Sequence, residues 1–390
     1  MSTPVIIAAR RTPIGRFLGS LSRTPAPQLG AYAIGAVLGD VPAAKDRVDE
    51  CIMGCVLQAG LGQNPARQAG LQAGLPPTLN AMTVNKVCGS GLQAVMLAAQ
   101  SIRSGDNKVV VAGGFENMSL APHMVYARTG IKYGSAELID HMAADGLTCA
   151  FEQWPMGCAA EWIATEHGVT RAEMDRISVQ SHQRTAKATA EGFFKPEIVP
   201  LSAEQLKQKQ GCDTDEGFRA DTSIDAMAKL RPAFDKAGSV TAGNASQISD
   251  GAAALIVASE EAAKEMGAKP MARIVDSITY GVPPKELFTA PEFAIGNLMK
   301  RNGLSVADID LFEINEAFAA QLLSNITRLG IPEDKLNING GGIALGHPIG
   351  ASGARILVTL LHALQRTGGR RGLASLCLGG GNAVAMVVEV

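Results

Sequence analysis

Apolar residues recur along this chain with two different spacings. Short continuous runs, such as Val5-Ile6-Ile7-Ala8-Ala9, Val109-Val110-Val111-Ala112 and Leu373 to Leu378, have the length and character of buried strands. Between such runs the apolar positions fall three and four apart. This is clearest at Leu92, Val95, Met96, Ala99 and Ile102, which predict a helix over Gly91 to Ser104 that stops at Gly105. A further helical stretch is predicted near Arg171 to Glu191. Glycine-rich turns stand where the two spacings meet, at Gly113-Gly114, Gly340 to Gly342 and Gly379 to Gly381. Strand, turn and amphipathic helix in alternation predict an α/β protein with largely parallel sheets.

The pattern is written twice. Val-Asp-Glu-Cys-Ile-Met-Gly at 48 to 54 resembles Ile-Asp-Leu-Phe-Glu-Ile-Asn at 309 to 315. Ser90-Gly91, its helix and the strand after it resemble Ser352-Gly353, its helix and the strand from Leu373, at almost the same separation. A duplicated α/β half explains both matches. The segment between the copies lacks their alternation and reads as an elaborated loop domain carrying substrate and oligomer contacts. The expected organisation is therefore 1–118, with about 248–268, as the first half, 119–247 as the loop domain and 269–390 as the second half.

Composition narrows the classes. With 390 residues, 46% hydrophobic and 18% charged, the chain has ample apolar surface for substantial cores. A formal net charge of -2, 4% aromatics and no long basic run disfavour a nucleic-acid partner. No apolar run reaches the roughly 18 residues of a membrane span, and the first apolar stretch is too short for a secretory signal, so a cytoplasmic location is expected. The seven cysteines are an odd number, scattered through the chain, and are expected to be reduced thiols. Cys51 and Cys55 fall on one face of a strand with no zinc-like partner pair and are expected to be buried and structural.

Four stretches can carry chemistry. Cys88 in Val-Cys-Gly-Ser-Gly lies at the start of the predicted helix, where unpaired amides and the positive dipole end favour a thiolate; a small buried hydrophobe at a tight turn is the competing reading. Gly89-Ser90-Gly91-Leu92-Gln93-Ala94 also fits a dinucleotide loop, but the acidic residue expected at a following strand end is missing, Asp106 lying in the turn instead. His347, among glycines and before Pro348, sits at the corresponding helix start of the second half. Cys377 precedes Gly379-Gly380-Gly381 at a strand end, and Asn315 stands at another strand-to-helix junction as either an N-cap or a polar donor to a site. Repeat symmetry brings the Cys88 and His347 helices to equivalent positions, so three reactive side chains can converge near a pseudo-twofold axis.

Taken together, Asn85-Lys-Val-Cys-Gly-Ser-Gly, Gly114-Phe-Glu-Asn-Met-Ser119, Asn315-Glu-Ala-Phe, Gly346-His-Pro-Ile-Gly350 and Cys377-Leu-Gly-Gly-Gly resemble the thiolase family in order and spacing over essentially the whole chain. Gly62 to Gln68 and Thr241 to Ser246 resemble its short-chain acetoacetyl-CoA branch. The resemblance implies the thiolase fold, duplicated α/β halves in a five-layered αβαβα arrangement with an inserted loop domain. It implies reversible condensation of two acetyl-CoA to acetoacetyl-CoA and CoA through an acetyl-cysteine, with degradation of longer 3-ketoacyl-CoA as the alternative. By the same resemblance Cys88 is the nucleophile, His347 its base, Cys377 the acid and base at the methyl carbon, and Asn315 the holder of a water. The amides of Cys88 and Gly379 form the oxyanion hole. Leu147, Met156, Arg219, Phe234, Ala242, Ser246 and Phe318 contact the acyl-CoA. No metal and no tightly bound cofactor are implied, and the expected assembly is a homotetramer, with Tyr126 to Tyr133 where relatives place a tetramerising loop. A decarboxylating ketoacyl synthase shares the duplicated fold, but Cys377 stands where that class carries a His or Asn. Pro155, Phe288 and Glu292 depart from the family pattern and are expected to reshape the acyl pocket.

Overall fold

A computed structural model describes residues 2–390. The principal strands are β1 (Pro4–Arg11), β2 (Glu50–Gly54), β3 (Asn80–Val84), β4 (Val109–Asn117), β5 (Ser249–Ser259), β6 (Ala272–Gly281), β7 (Leu311–Ile314), β8 (Arg371–Leu378) and β9 (Asn382–Glu389). The principal helices are α1 (Ala26–Asp40), α2 (Pro65–Gln72), α3 (Ser90–Ser104), α4 (Met156–Glu166), α5 (Arg171–Ala190), α6 (Ala290–Arg301), α7 (Ala319–Leu329) and α8 (Ser352–Thr367). Both helices predicted from periodicity, α3 and α5, lie within a residue of their expected ends.

The strand order is β7-β8-β9-β6-β1-β5-β4-β2-β3. Outward from the β1/β6 seam the two sides match strand for strand: β1-β5-β4-β2 on one side, β6-β9-β8-β7 on the other. The seam itself is short, pairing Val5 with Arg273 and Ile6 with Ala272. The matched segments at 48 to 54 and 309 to 315 become β2 and β7, so the internal repeat is structural.

The sheets are mixed, which corrects the expectation of largely parallel strands. Only β2–β3, β2–β4 and β7–β8 are parallel, while β4–β5, β5–β1, β8–β9 and β9–β6 are antiparallel. The reason is visible at β8 and β9, whose only connection is Gly379-Gly380-Gly381, far too short for a parallel crossover. Gly380 and Gly381 take φ of 85° and 92°, a region that side chains disfavour, and so close a hairpin just beyond Cys377.

Helices α1 and α2 cover the outer face of the first half, α3 and α8 lie between the halves, and α6, with α7 beside it, covers the second. Counted through the molecule this is helix, sheet, helix, sheet, helix. The central pair touch backbone to backbone: a Cβ on Gly91 would lie 2.8 Å from Ala354 N, and one on Gly353 would strike Leu92 N. Residues 119–247 contain α4 and α5, which pack on α7 and so border the second half. No helix among the described residues is long and apolar enough to cross a membrane.

Candidate active site

The turn between β3 and α3 is tightly tied. Asn85 Oδ1 accepts the Val87 amide at 3.0 Å, Ser90 Oγ accepts the Lys86 amide at 2.8 Å, and the same hydroxyl donates to Val87 O at 2.6 Å. Val87 is held at φ 47°, where a β-branched residue costs about 1–3 kcal/mol. That strain sits one residue before Cys88. The thiol faces a cavity of about 630 Å³ whose wall also includes His347, Cys377 and Gly379. Three turns from three parts of the sequence, at the head of α3, ahead of α8 and at the β8–β9 hairpin, therefore open into one space.

The rest of the wall is mostly apolar. Leu147, Met156, Phe234, Ala242, Ser246 and Phe318 all line it, joined by Met118, Gln247, Ile349 and Leu287, which the sequence did not single out. Arg219 is exposed and does not line the cavity, its amide donating instead to His182 Nδ1 at 3.1 Å. Pro155 and Phe288 line the cavity as expected, Phe288 packing 5.5 Å from the Phe318 ring. Glu292 does not: it pairs with Arg328 at 2.7 Å, so its expected influence on the acyl pocket is withdrawn. Cys51 and Cys55 are buried in the first half and do not line the cavity.

The expectation of a ready thiolate at Cys88 is also corrected. Burial pushes its pKa up to about 11, although the amides of Gly379 and of Cys88 itself face the sulfur and pull the other way. Desolvation outweighs those two amides. Cys377 is pushed well above its ordinary value, first by burial and then by the neighbouring Cys88 sulfur. Burial, followed by the Arg355 charge, lowers His347 to about 3. In the resting site both sulfurs are thiols and the imidazole is neutral.

The hydrogen-bond network assigns the imidazole tautomer. Ser352 Oγ donates to Pro348 O at 2.9 Å and lies 2.6 Å from His347 Nδ1, so the ring nitrogen donates to the hydroxyl. Nε2 keeps its lone pair and can take a proton. Ser352 was not among the residues read as functional, though its signal was available: it heads α8, five residues after His347. Asn315 is not an N-cap, since α7 begins at Ala319 with Phe318 in the cap position. Its Nδ2 lies 3.4 Å from both ring nitrogens, and its Oδ1 is buried with no partner. A buried acceptor without a donor is what a bound water or substrate group would complete.

A thiol, a neutral base and a second thiol in one largely apolar cavity, with two backbone amides facing the first sulfur, suit acyl transfer through a thioester. The relatives agree with this class. Residues 4–261 match the family model described as thiolase, N-terminal domain, and residues 268–390 match thiolase, C-terminal domain. The chain belongs to the thiolase family. It is 51% identical to an acetyl-CoA acetyltransferase of Chromobacterium violaceum, over 98% of each chain. It is also 51% identical to one from Escherichia coli K12, over 100% of this chain and 99% of the relative. A probable acetyl-CoA acyltransferase of Staphylococcus aureus is 49% identical over the same shares.

Proposed function

We propose that the protein is an acetyl-CoA C-acetyltransferase, condensing two acetyl-CoA to acetoacetyl-CoA and CoA in a reversible reaction. The observation that carries the reading is that His347, whose Nδ1 lies 2.6 Å from Ser352 Oγ, shares one cavity with Cys88 and Cys377. With the Cys88 thiol pushed up to about 11 and the His347 imidazole down to about 3 by burial, the resting pair is neutral in this reading, and proton transfer accompanies attack. As Cys88 Sγ bonds to the acetyl carbonyl carbon, His347 Nε2 takes the thiol proton. The oxyanion faces the amides of Cys88 and Gly379, donors of a kind worth about 10²–10³ in rate each. Collapse expels the CoA thiolate, which takes the proton of Cys377 and leaves as CoA.

The second half then balances. Cys377 is now a thiolate and removes a methyl proton from a second acetyl-CoA. The enolate oxygen is stabilised by the His347 imidazolium and by a water on the open Asn315 acceptor. Its carbon attacks acetyl-Cys88, and the released Cys88 sulfur recovers the proton from His347. The cycle regenerates both thiols and calls on no metal or redox group.

Leu147, Met156, Phe234, Ala242, Ser246 and Phe318 are the contacts for the acyl-CoA in this reading, with Arg219 at its anionic end. Phe288 against Phe318 narrows the wall and favours short acyl chains over the longer-chain alternative. A homotetramer in the cytoplasm completes the proposal, supported by the exposed apolar side chains between Tyr126 and Tyr133. Thiolysis rates with 3-ketoacyl-CoA substrates of four to ten carbons test the short-chain assignment. The expected result is a steep fall with length; a flat or rising profile would transfer the protein to the longer-chain class.

A further inference from the structure

Glu116, at the end of β4, is fully buried, and its partners come from two distant parts of the chain. Oε2 accepts the Val56 amide at 3.0 Å and the Gly350 amide at 2.9 Å. Oε1 accepts the Leu57 amide at 3.1 Å, with Cys55 Sγ at 3.6 Å. Val56 and Leu57 follow β2 in the first half and pack with Met118 and Ile349 in a small apolar cluster that Cys88 and Leu147 adjoin. Gly350 closes the loop that carries His347. One carboxylate therefore joins the wall beside the nucleophile to the loop that holds the base.

The joint has little slack. A Cβ on Gly350 would lie 2.7 Å from Glu116 Oε2, 2.7 Å from Phe115 O and 2.9 Å from Cys55 Cα, so the loop has no room to approach. Moving away breaks the Gly350 bond. Burial pushes the Glu116 carboxyl up to about 7 while the three amides pull it down. Burying a carboxylate costs several kcal/mol before compensation, and its partners here are neutral amides and a thiol. A two-oxygen acceptor meets three amide donors at once, which neither a hydroxyl nor an amide side chain does.

We propose that Glu116 is a positioning residue for acyl transfer, clamping the His347 loop to the Cys88 wall and so fixing Nε2 relative to the sulfur. It does not touch the reacting atoms. The inference rests on the acyl-transfer reading above.

Glu116→Gln keeps the size but turns an amide N–H₂ toward the donors. Rapid-quench acetylation by acetyl-CoA, at about pH 8 where the native carboxyl is ionised, is expected to slow between about 10- and 100-fold, the scale of a 1 Å misplacement. The KM for acetyl-CoA is expected to stay within about twofold, since binding contacts are untouched. Gly350→Ala presses the same joint from the other side. The double variant should be no slower than the slower single one, as expected for one coupled unit. An unchanged acetylation rate, a raised KM with unchanged rate, or fully multiplicative losses would each overturn the proposal. In the native protein, hydrogen exchange supplies a test independent of variant folding: the amides of Val56, Leu57 and Gly350 should be protected, and exchange within seconds would overturn the clamp. A native protein that takes up no acetyl group would instead defeat the acyl-transfer reading itself.

Discussion

Cys88 shows how two local effects compete and which wins. It stands at the amino end of a 15-residue helix, where dipole and free amides favour the anion, yet burial in an apolar cavity raises the thiol to about 11. The rate of alkylation by iodoacetamide follows the thiolate fraction. It is therefore expected to rise about tenfold per pH unit from 7 to 10 without levelling. A plateau below pH 8 would show a stabilised thiolate and contradict the concerted transfer to His347. At this scale the sequence was legible for chemistry and illegible for charge state. Cys88, His347 and Cys377 stood out as reactive types at glycine-rich junctions, whereas their pKa values depend on apolar neighbours such as Met118 and Ile349 that only folding brings together. Ser352 escaped for a related reason. Its hydroxyl looks like a helix-start residue until the ring nitrogen 2.6 Å away gives it a second role.

At the scale of elements, the site depends on how closely α3 and α8 approach. Their glycines meet backbone to backbone, and this contact sets the distance between the turn bearing Cys88 and the loop bearing His347. Gly91→Ala would put a methyl 2.8 Å from Ala354 N and 3.0 Å from Gly350 O. Thermal or denaturant unfolding is expected to show a loss of about 1–3 kcal/mol from overpacking. Native stability with native activity would mean that the helices have room to part. Periodicity located α3 well, because Leu92, Val95, Met96, Ala99 and Ile102 form a buried apolar face, whereas α5 buries polar side chains such as Asp175, Ser178 and His182 beside Met174 and Ile177. Strand direction was less legible: β4 and β5 are separated by the whole of 119–247, and nothing in either run says which way the returning strand points. The β8–β9 hairpin did carry a signal, since three residues cannot make a parallel crossover.

The whole molecule repeats one α/β unit twice and uses the copies differently. The first half supplies Cys88 and the Glu116 joint, and the second supplies His347, Asn315 and Cys377. Between them, residues 119–247 contribute cavity wall and also an apolar surface, with Tyr126 81%, Ile131 54% and Tyr133 100% exposed. Such side chains clustered on one loop support the homotetramer proposed above. Tyr133→Asp is expected to lower the solution mass measured by light scattering from tetramer to dimer, and an unchanged mass would move the interface elsewhere. The duplication itself was readable in the sequence, because β2 and β7 kept similar residues at a similar separation from their helices.

In the proposed cycle an acetyl group passes through Cys88 before any carbon–carbon bond forms. Mixing the protein with acetyl-CoA, quenching in acid and mapping the modified peptide tests it most directly. One acetyl group is predicted on Cys88, absent in Cys88→Ala and still present in Cys377→Ala, whose condensation rate collapses. Acetylation at another residue, no acetylation, or equal loss of acetylation and condensation in Cys377→Ala would contradict the account.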